Sequence, residues 1–139
     1  MRRLLRFLRL SARERALLFA AAMALLAVAR RVRRDPMRAL TIGGMVSDPP
    51  RRAATPREIE WAVGVAAEVL PGRFTCLMRA LAMQRLLARA GIASEVRLGV
   101  ARGDAVGIAA HAWVELADGS VLGEAGAQEF VPLPALPRE

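Results

Sequence analysis

The sequence predicts an α+β domain, with helices first and a small antiparallel sheet after them. Three observations carry this. Apolar residues recur at helical spacing in three segments before residue 91. From Glu95 onward the period changes to two. The second two-period run ends on Asp118-Gly119, the dipeptide of a tight hairpin. With 139 residues, 55% apolar and 24% charged, the chain suffices for one domain with a modest core. It is too apolar for long-range disorder.

Ser11 and Glu14 fit a capping box, so the first helix is expected to start near Ala12. An apolar run from Ala16 to Ala29 follows and stops at Arg30, Arg31, Arg33 and Arg34. It is shorter than the roughly 20 residues a spanning helix needs. A secretory signal also starts basic and turns apolar. Here Arg13, Glu14 and Arg15 interrupt the entry, and Arg30-Arg31 replaces the small-residue cleavage site. A packing helix with solvated ends is the favoured reading, with weak membrane-surface association or partner docking as the alternative.

The net charge of +8 is uneven: residues 1–34 carry ten Arg and one Glu, and the rest carries eleven Arg and twelve acids. The basic cluster has no interleaved aromatics and no nucleic-acid motif, so no nucleic-acid partner is expected. Pro36, Gly43, Gly44, Asp48, Pro49 and Pro50 predict a linker over residues 35–54. Residues 1–50 therefore read as a basic helical extension with its linker, and 51–139 as the core.

Thr55-Pro56-Arg57-Glu58 starts the next helix, with Thr as N-cap, Pro first and Glu third. Ile59, Ala62, Val63, Ala66 and Val69 form its apolar stripe, and Leu70-Pro71-Gly72 ends it. Thr75 caps a further helix from Cys76 to about Ala90, closed by Gly91. Val96, Leu98 and Val100 predict a strand, and Arg102-Gly103-Asp104 a turn. Ala109–Leu116 and Val121–Glu124 are the second and third strands. The tail, with Pro132, Pro134 and Pro137, is expected to wrap or fray.

The sole Cys and the sole His stand in informative places. Cys76 opens a helix, where unpaired N–H groups and the helix dipole favour a thiolate and can hold an oxyanion. One Cys excludes an internal disulfide and, with one His, is too little for a protein-only zinc site. A lone thiol points to a reducing compartment or to a nucleophile. On the second strand His111, Trp113 and Glu115 share one face, and Ala112, Val114 and Leu116 the other. A two-residue Asp118-Gly119 loop would pair Leu116 with Val121 and Trp113 with Glu124. Glu124 would then sit one diagonal step from His111, roughly 7–8 Å between backbones. Glu115 would lie about 13 Å along the strand from His111. Nucleophile Cys76, base His111 and orienting Glu124 are the parts of a cysteine hydrolase. Each alone is more often an inert buried thiol, a structural imidazole or a solvated charge.

Cys76-Leu-Met-Arg-Ala-Leu-Ala-Met, Leu86-Leu87, Gly91-Ile92, Arg97-Leu98-Gly99-Val100 and His111-Ala-Trp-Val-Glu resemble the transglutaminase-like cysteine peptidase superfamily. Within it they are most similar to the stand-alone leader peptidases of lasso-peptide biosynthesis, over about residues 55–131. The resemblance implies a papain-like core, a Cys-bearing helix packed on a small antiparallel sheet, with a Cys–His–acid triad. Cys76 and His111 match the motif positions. The family acid is usually Asp on the strand after the hairpin, where this chain has Glu124. Trp113 would wall the substrate pocket or pack. The implied activity is removal of the leader from a ribosomally made precursor peptide in the cytoplasm, with no cofactor or metal. A small leader-recognition protein would act in trans, and an ATP-dependent cyclase would then close the core peptide. Transglutaminase-type acyl transfer, or a non-catalytic membrane or partner adaptor built on the Arg-rich helix, are the alternatives.

Overall fold

The computed structural model describes residues 8–41, 48, 53–102, 107–123 and 130–134. Helix α1 spans Ala12–Arg34, α2 Pro36–Thr41, α3 Pro56–Val69 and α4 Cys76–Arg89. Strands β1 (Ser94–Arg102), β2 (Ile108–Leu116), β3 (Val121–Leu122) and β4 (Val131–Pro132) form one antiparallel sheet in the order β3-β2-β1-β4. The fold is α+β, as the change of period implied.

Cap chemistry sets the helix starts. Ser11 Oγ accepts from the Glu14 N–H, and the Glu14 carboxylate accepts from the Ser11 N–H at 2.7 Å. Thr55 and Glu58 repeat this arrangement at α3, where Arg13 also reaches Glu58 and the Ala53 carbonyl. Thr55→Ala removes one of these caps and is expected to cost about 1 kcal/mol. Thermal melting would read that as a fall in Tm of about 3–5 °C. Helix α4 ends in a complete Schellman turn: Ile92 N–H donates to Leu87 O, Gly91 N–H to Ala88 O, and Gly91 takes φ +77°.

The core lies between α1, α3, α4 and one sheet face. Leu18, Leu25 and Val28 of α1 meet Ile59 and Val63 of α3, Leu81 and Leu87 of α4, and Val114 and Leu122 of the sheet. The basic arm thus shares the core of the elements that follow it. Its outer face leaves Phe19, Met23 and Leu26 exposed.

Three local expectations are corrected. Within the expected linker, Pro36–Thr41 is helical, because Asp35 Oδ1 accepts from the Arg38 N–H and Pro36 takes the first helical position. In the tail, Val131 and Pro132 pair with Val100 and Gly99 on the sheet edge, and Leu133 N–H donates to Leu98 O at 2.8 Å. An edge strand tolerates the N–H that Pro132 lacks. The third correction is the hairpin register. Val114 pairs with Leu122 and Glu115 with Val121, one residue from the expected pairing. Leu116 N–H donates to Ser120 O, and Gly119, at φ +84°, donates to Leu116 O. The loop is therefore the three residues Ala117-Asp118-Gly119, a type I turn followed by a glycine bulge. Asp118 Oδ1 accepts from both the N–H and the hydroxyl of Ser120, which holds its carboxyl below the ordinary range. The Arg102-Gly103-Asp104 turn runs into residues outside the described ones.

Candidate active site

Cys76 is the first residue of α4. Thr75 caps the helix, its Oγ1 accepting from the Met78 N–H at 3.3 Å and its carbonyl from the Arg79 N–H at 3.0 Å. The thiol is half-buried and free. One turn on, Arg79 donates from Nε to the Phe74 carbonyl at 3.3 Å, which pins the loop entering the helix.

His111 lies on β2 opposite Gly99. Its imidazole stands between two aromatic rings: Trp113 stacks with centroids 6.0 Å apart, and Phe130 is tilted 35° at 5.1 Å. His111 Nε2 lies 3.1 Å from the Gly123 carbonyl. A carbonyl only accepts, so this bond puts the hydrogen on Nε2 and leaves Nδ1 as the basic nitrogen. Gly123 itself adopts φ +78° just past the last paired residue of β3. Its N–H donates to Glu60 Oε1 on α3 at 2.7 Å.

These groups open on one cleft of about 450 Å³. Cys76, Phe74 and Arg79 line it from the start of α4, Glu60 and Val63 from α3, and His111, Ala112 and Gly123 from the sheet. The sole thiol and the sole imidazole therefore share a solvent-reached space.

A family model described as the transglutaminase-like superfamily matches residues 5–135. The chain belongs to the transglutaminase-like superfamily. No curated protein and no solved structure gives a match. The family match takes in α1 as well as the Cys-bearing helix and the sheet.

In this transglutaminase-like domain the structure brings Cys76 and His111 to one cleft, and puts Trp113 beside the imidazole. Trp113 is 5% exposed and does not line the cleft, so its contact is with the His111 ring. Glu124 lies outside the described residues. In the observed register it is Gly123, one position before Glu124, whose backbone reaches His111. Glu115 is engaged elsewhere: it faces Glu95 across the strands, and Arg97 bridges both carboxylates, at 3.1 Å and 3.4 Å. Among the described residues no group of three or more His, Cys, Asp or Glu could hold a metal ion.

Sequence reasoning missed Glu60, Arg79, Gly123 and Phe130. Arg79 carried a signal, since it follows Cys76 by three residues and so shares its helix face. Phe130 and Glu60 carried none, because each meets the site from a segment remote in sequence.

Proposed function

We propose that the protein is a cysteine peptidase that removes the leader from a ribosomally made precursor peptide in lasso-peptide maturation. The observation that carries this is the shared cleft of Cys76 and His111 within a transglutaminase-like domain. The superfamily commonly works through a cysteine, and the motif residues around both positions resemble those of lasso leader peptidases.

The chemistry follows from the parts. Cys76 passes its thiol proton to His111, and the sulfur attacks the carbonyl carbon of the scissile peptide. The oxyanion forms beside the Cys76 N–H, which precedes the hydrogen-bonded turns of the helix. The C–N bond breaks as imidazolium His111 gives its proton to the leaving amine, and a thioester remains. Neutral His111 then takes a proton from water, whose oxygen attacks the thioester. The leader leaves with the new carboxylate, and the proton held by His111 returns to the Cys76 sulfur. Peptide and water are the only reactants.

The reading includes a separate leader-binding protein in trans, action before an ATP-dependent cyclase, and a reducing, cytoplasmic setting for the thiol. Among the described residues no helix is long and apolar enough to cross a membrane. Phe19, Met23 and Leu26, exposed on α1 between the arginines at its two ends, suit a weak surface contact.

Mass spectrometry of precursor incubated with the protein and its leader-binding partner tests the reaction type. The expected products are two fragments that together exceed the precursor by one water. A product joined to an amine with loss of ammonia would instead establish acyl transfer, and an unchanged precursor would refute both.

A further inference from the structure

We infer that Glu60 is a positioning residue for His111, acting through the backbone of Gly123. This rests on the thiol–imidazole reading above and concerns what holds the imidazole in place. His111 Nε2 donates to the Gly123 carbonyl at 3.1 Å, so the carbonyl selects the tautomer whose Nδ1 is basic. What fixes the carbonyl is then the question. Pairing between β2 and β3 stops at Leu122, so the ladder does not hold Gly123. A glycine at φ +78° has more freedom than any other residue.

Among the described residues, the bond from Gly123 N–H to Glu60 Oε1, at 2.7 Å, is the tie that remains. It is charge-assisted and comes from a regular helix, so its anchor is rigid. Met83 closes the space beside it: a Cβ at residue 123 would lie 3.2 Å from the Met83 methyl. Glu60 thus ties Gly123 at its N–H while His111 meets it at its carbonyl, so the helix limits where the carbonyl can sit and the carbonyl orients the imidazole. The carboxylate's hydrogen bond is to the Gly123 backbone and not to thiol or ring, which separates it from a catalytic residue. The backbone oxygen supplies at Nε2 the acceptor that an acid side chain supplies in a triad.

His111 and Cys76 are the only residues of their types, so both readouts are unambiguous. Nitrogen-15 NMR of the full-length protein, labelled at histidine, reports the tautomer. Iodoacetamide alkylation near neutral pH reports thiol activation. Wild type, at a pH where the imidazole is neutral, is expected as one Nε2–H tautomer. Glu60→Ala is expected to give a tautomer mixture and about a tenfold slower alkylation, the loss of one orienting hydrogen bond. Glu60→Gln keeps an acceptor oxygen and is expected to retain both properties within about twofold. Glu60→Asp, which withdraws the carboxylate by one methylene, should behave like Glu60→Ala and serves if the alanine variant folds poorly. Folding is checked by circular dichroism, and Glu60 is only half-buried.

A folded Glu60→Ala with an unchanged tautomer and unchanged alkylation overturns the inference. So does a tautomer released by Glu124→Gln but not by Glu60→Ala, which returns the task to Glu124. The parent reading is tested separately by His111→Ala. Alkylation indifferent to that change sinks the thiol–imidazole couple itself, whereas alkylation that depends on His111 but not on Glu60 sinks only the role of Glu60.

Discussion

Cys76→Ala is expected to lose precursor cleavage by 10⁴-fold or more while melting within a few degrees of the parent protein. Removing the nucleophile from a covalent mechanism removes the route itself, and losses on the order of 10⁴- to 10⁶-fold are usual. At least about 5 kcal/mol of barrier lowering is therefore at stake. The stability change should be small, within about 1 kcal/mol, because the thiol is half-buried at the first position of α4 and alanine suits a helix. Single-turnover cleavage and a melting curve on the same sample separate the two effects. The chain has no other thiol, so no neighbouring cysteine can substitute and trapping of an acyl-enzyme should vanish as well. Cys76→Ala combined with His111→Ala should be no slower than Cys76→Ala alone, because the imidazole has nothing to activate once the sulfur is gone. Additive losses would mean that the two residues act in different steps. Persistent cleavage by Cys76→Ala would end the peptidase reading.

The features that could be read from the sequence are those whose physics is local. Ser11 with Glu14, Thr55 with Glu58, and Thr75 each bond within their own turn, and each sets a helix start at the expected residue. Cys76 at a helix start and His111 on a strand followed from the same signals. The hairpin was harder. Asp118-Gly119 suits a two-residue loop, but Asp118 bonds Ser120 and Gly119 takes the left-handed position after a type I turn, which draws Ala117 into the loop. One extra loop residue moves every cross-strand partner by one, enough to bring Gly123 into line beside Trp113 and His111.

The remaining features depend on pairs far apart in the chain. The apolar stripe of α3 predicts which side is buried, but not that Glu60 at its edge meets a backbone 63 positions later. Pro132 argues against a strand in general, and only its place at the sheet edge makes β4 acceptable. The helical period of α1 likewise identifies a helix without its partner. Its packing against α3 and α4 emerges only when the core is assembled.

Gly99→Ala is expected to destabilise the domain by about 2 kcal/mol, against the usual sign of that substitution in a strand. An alanine normally gains about 0.5–1 kcal/mol over glycine by restricting the unfolded chain. Gly99 has no left-handed backbone that would oppose a side chain. The obstacle is space. A Cβ there would lie 2.7 Å from Cζ3 and Cη2 of Trp113 and 2.9 Å from Cβ of Phe130. The indole is rigid and 5% exposed, and the Phe130 atom sits next to the backbone that leads into β4. Neither can yield without disturbing its neighbours, so the cost lies at the upper end of the about 1–3 kcal/mol that overpacking carries. The clash outweighs the entropic gain, and Tm should fall by roughly 6–10 °C. Trp113 and Phe130 also flank the imidazole, so His111 should shift with them and cleavage should slow more than the loss of folded protein explains. The decisive measurement is a double-mutant cycle with Trp113→Leu. Removing the indole relieves the closer contact and leaves the one with Phe130, so Gly99→Ala should cost no more than about 1 kcal/mol in that background, a coupling of about 1 kcal/mol or more by the scale of contacting residues (about 0.5–3 kcal/mol). Equal destabilisation in both backgrounds would mean that the indole does not need the space over Gly99.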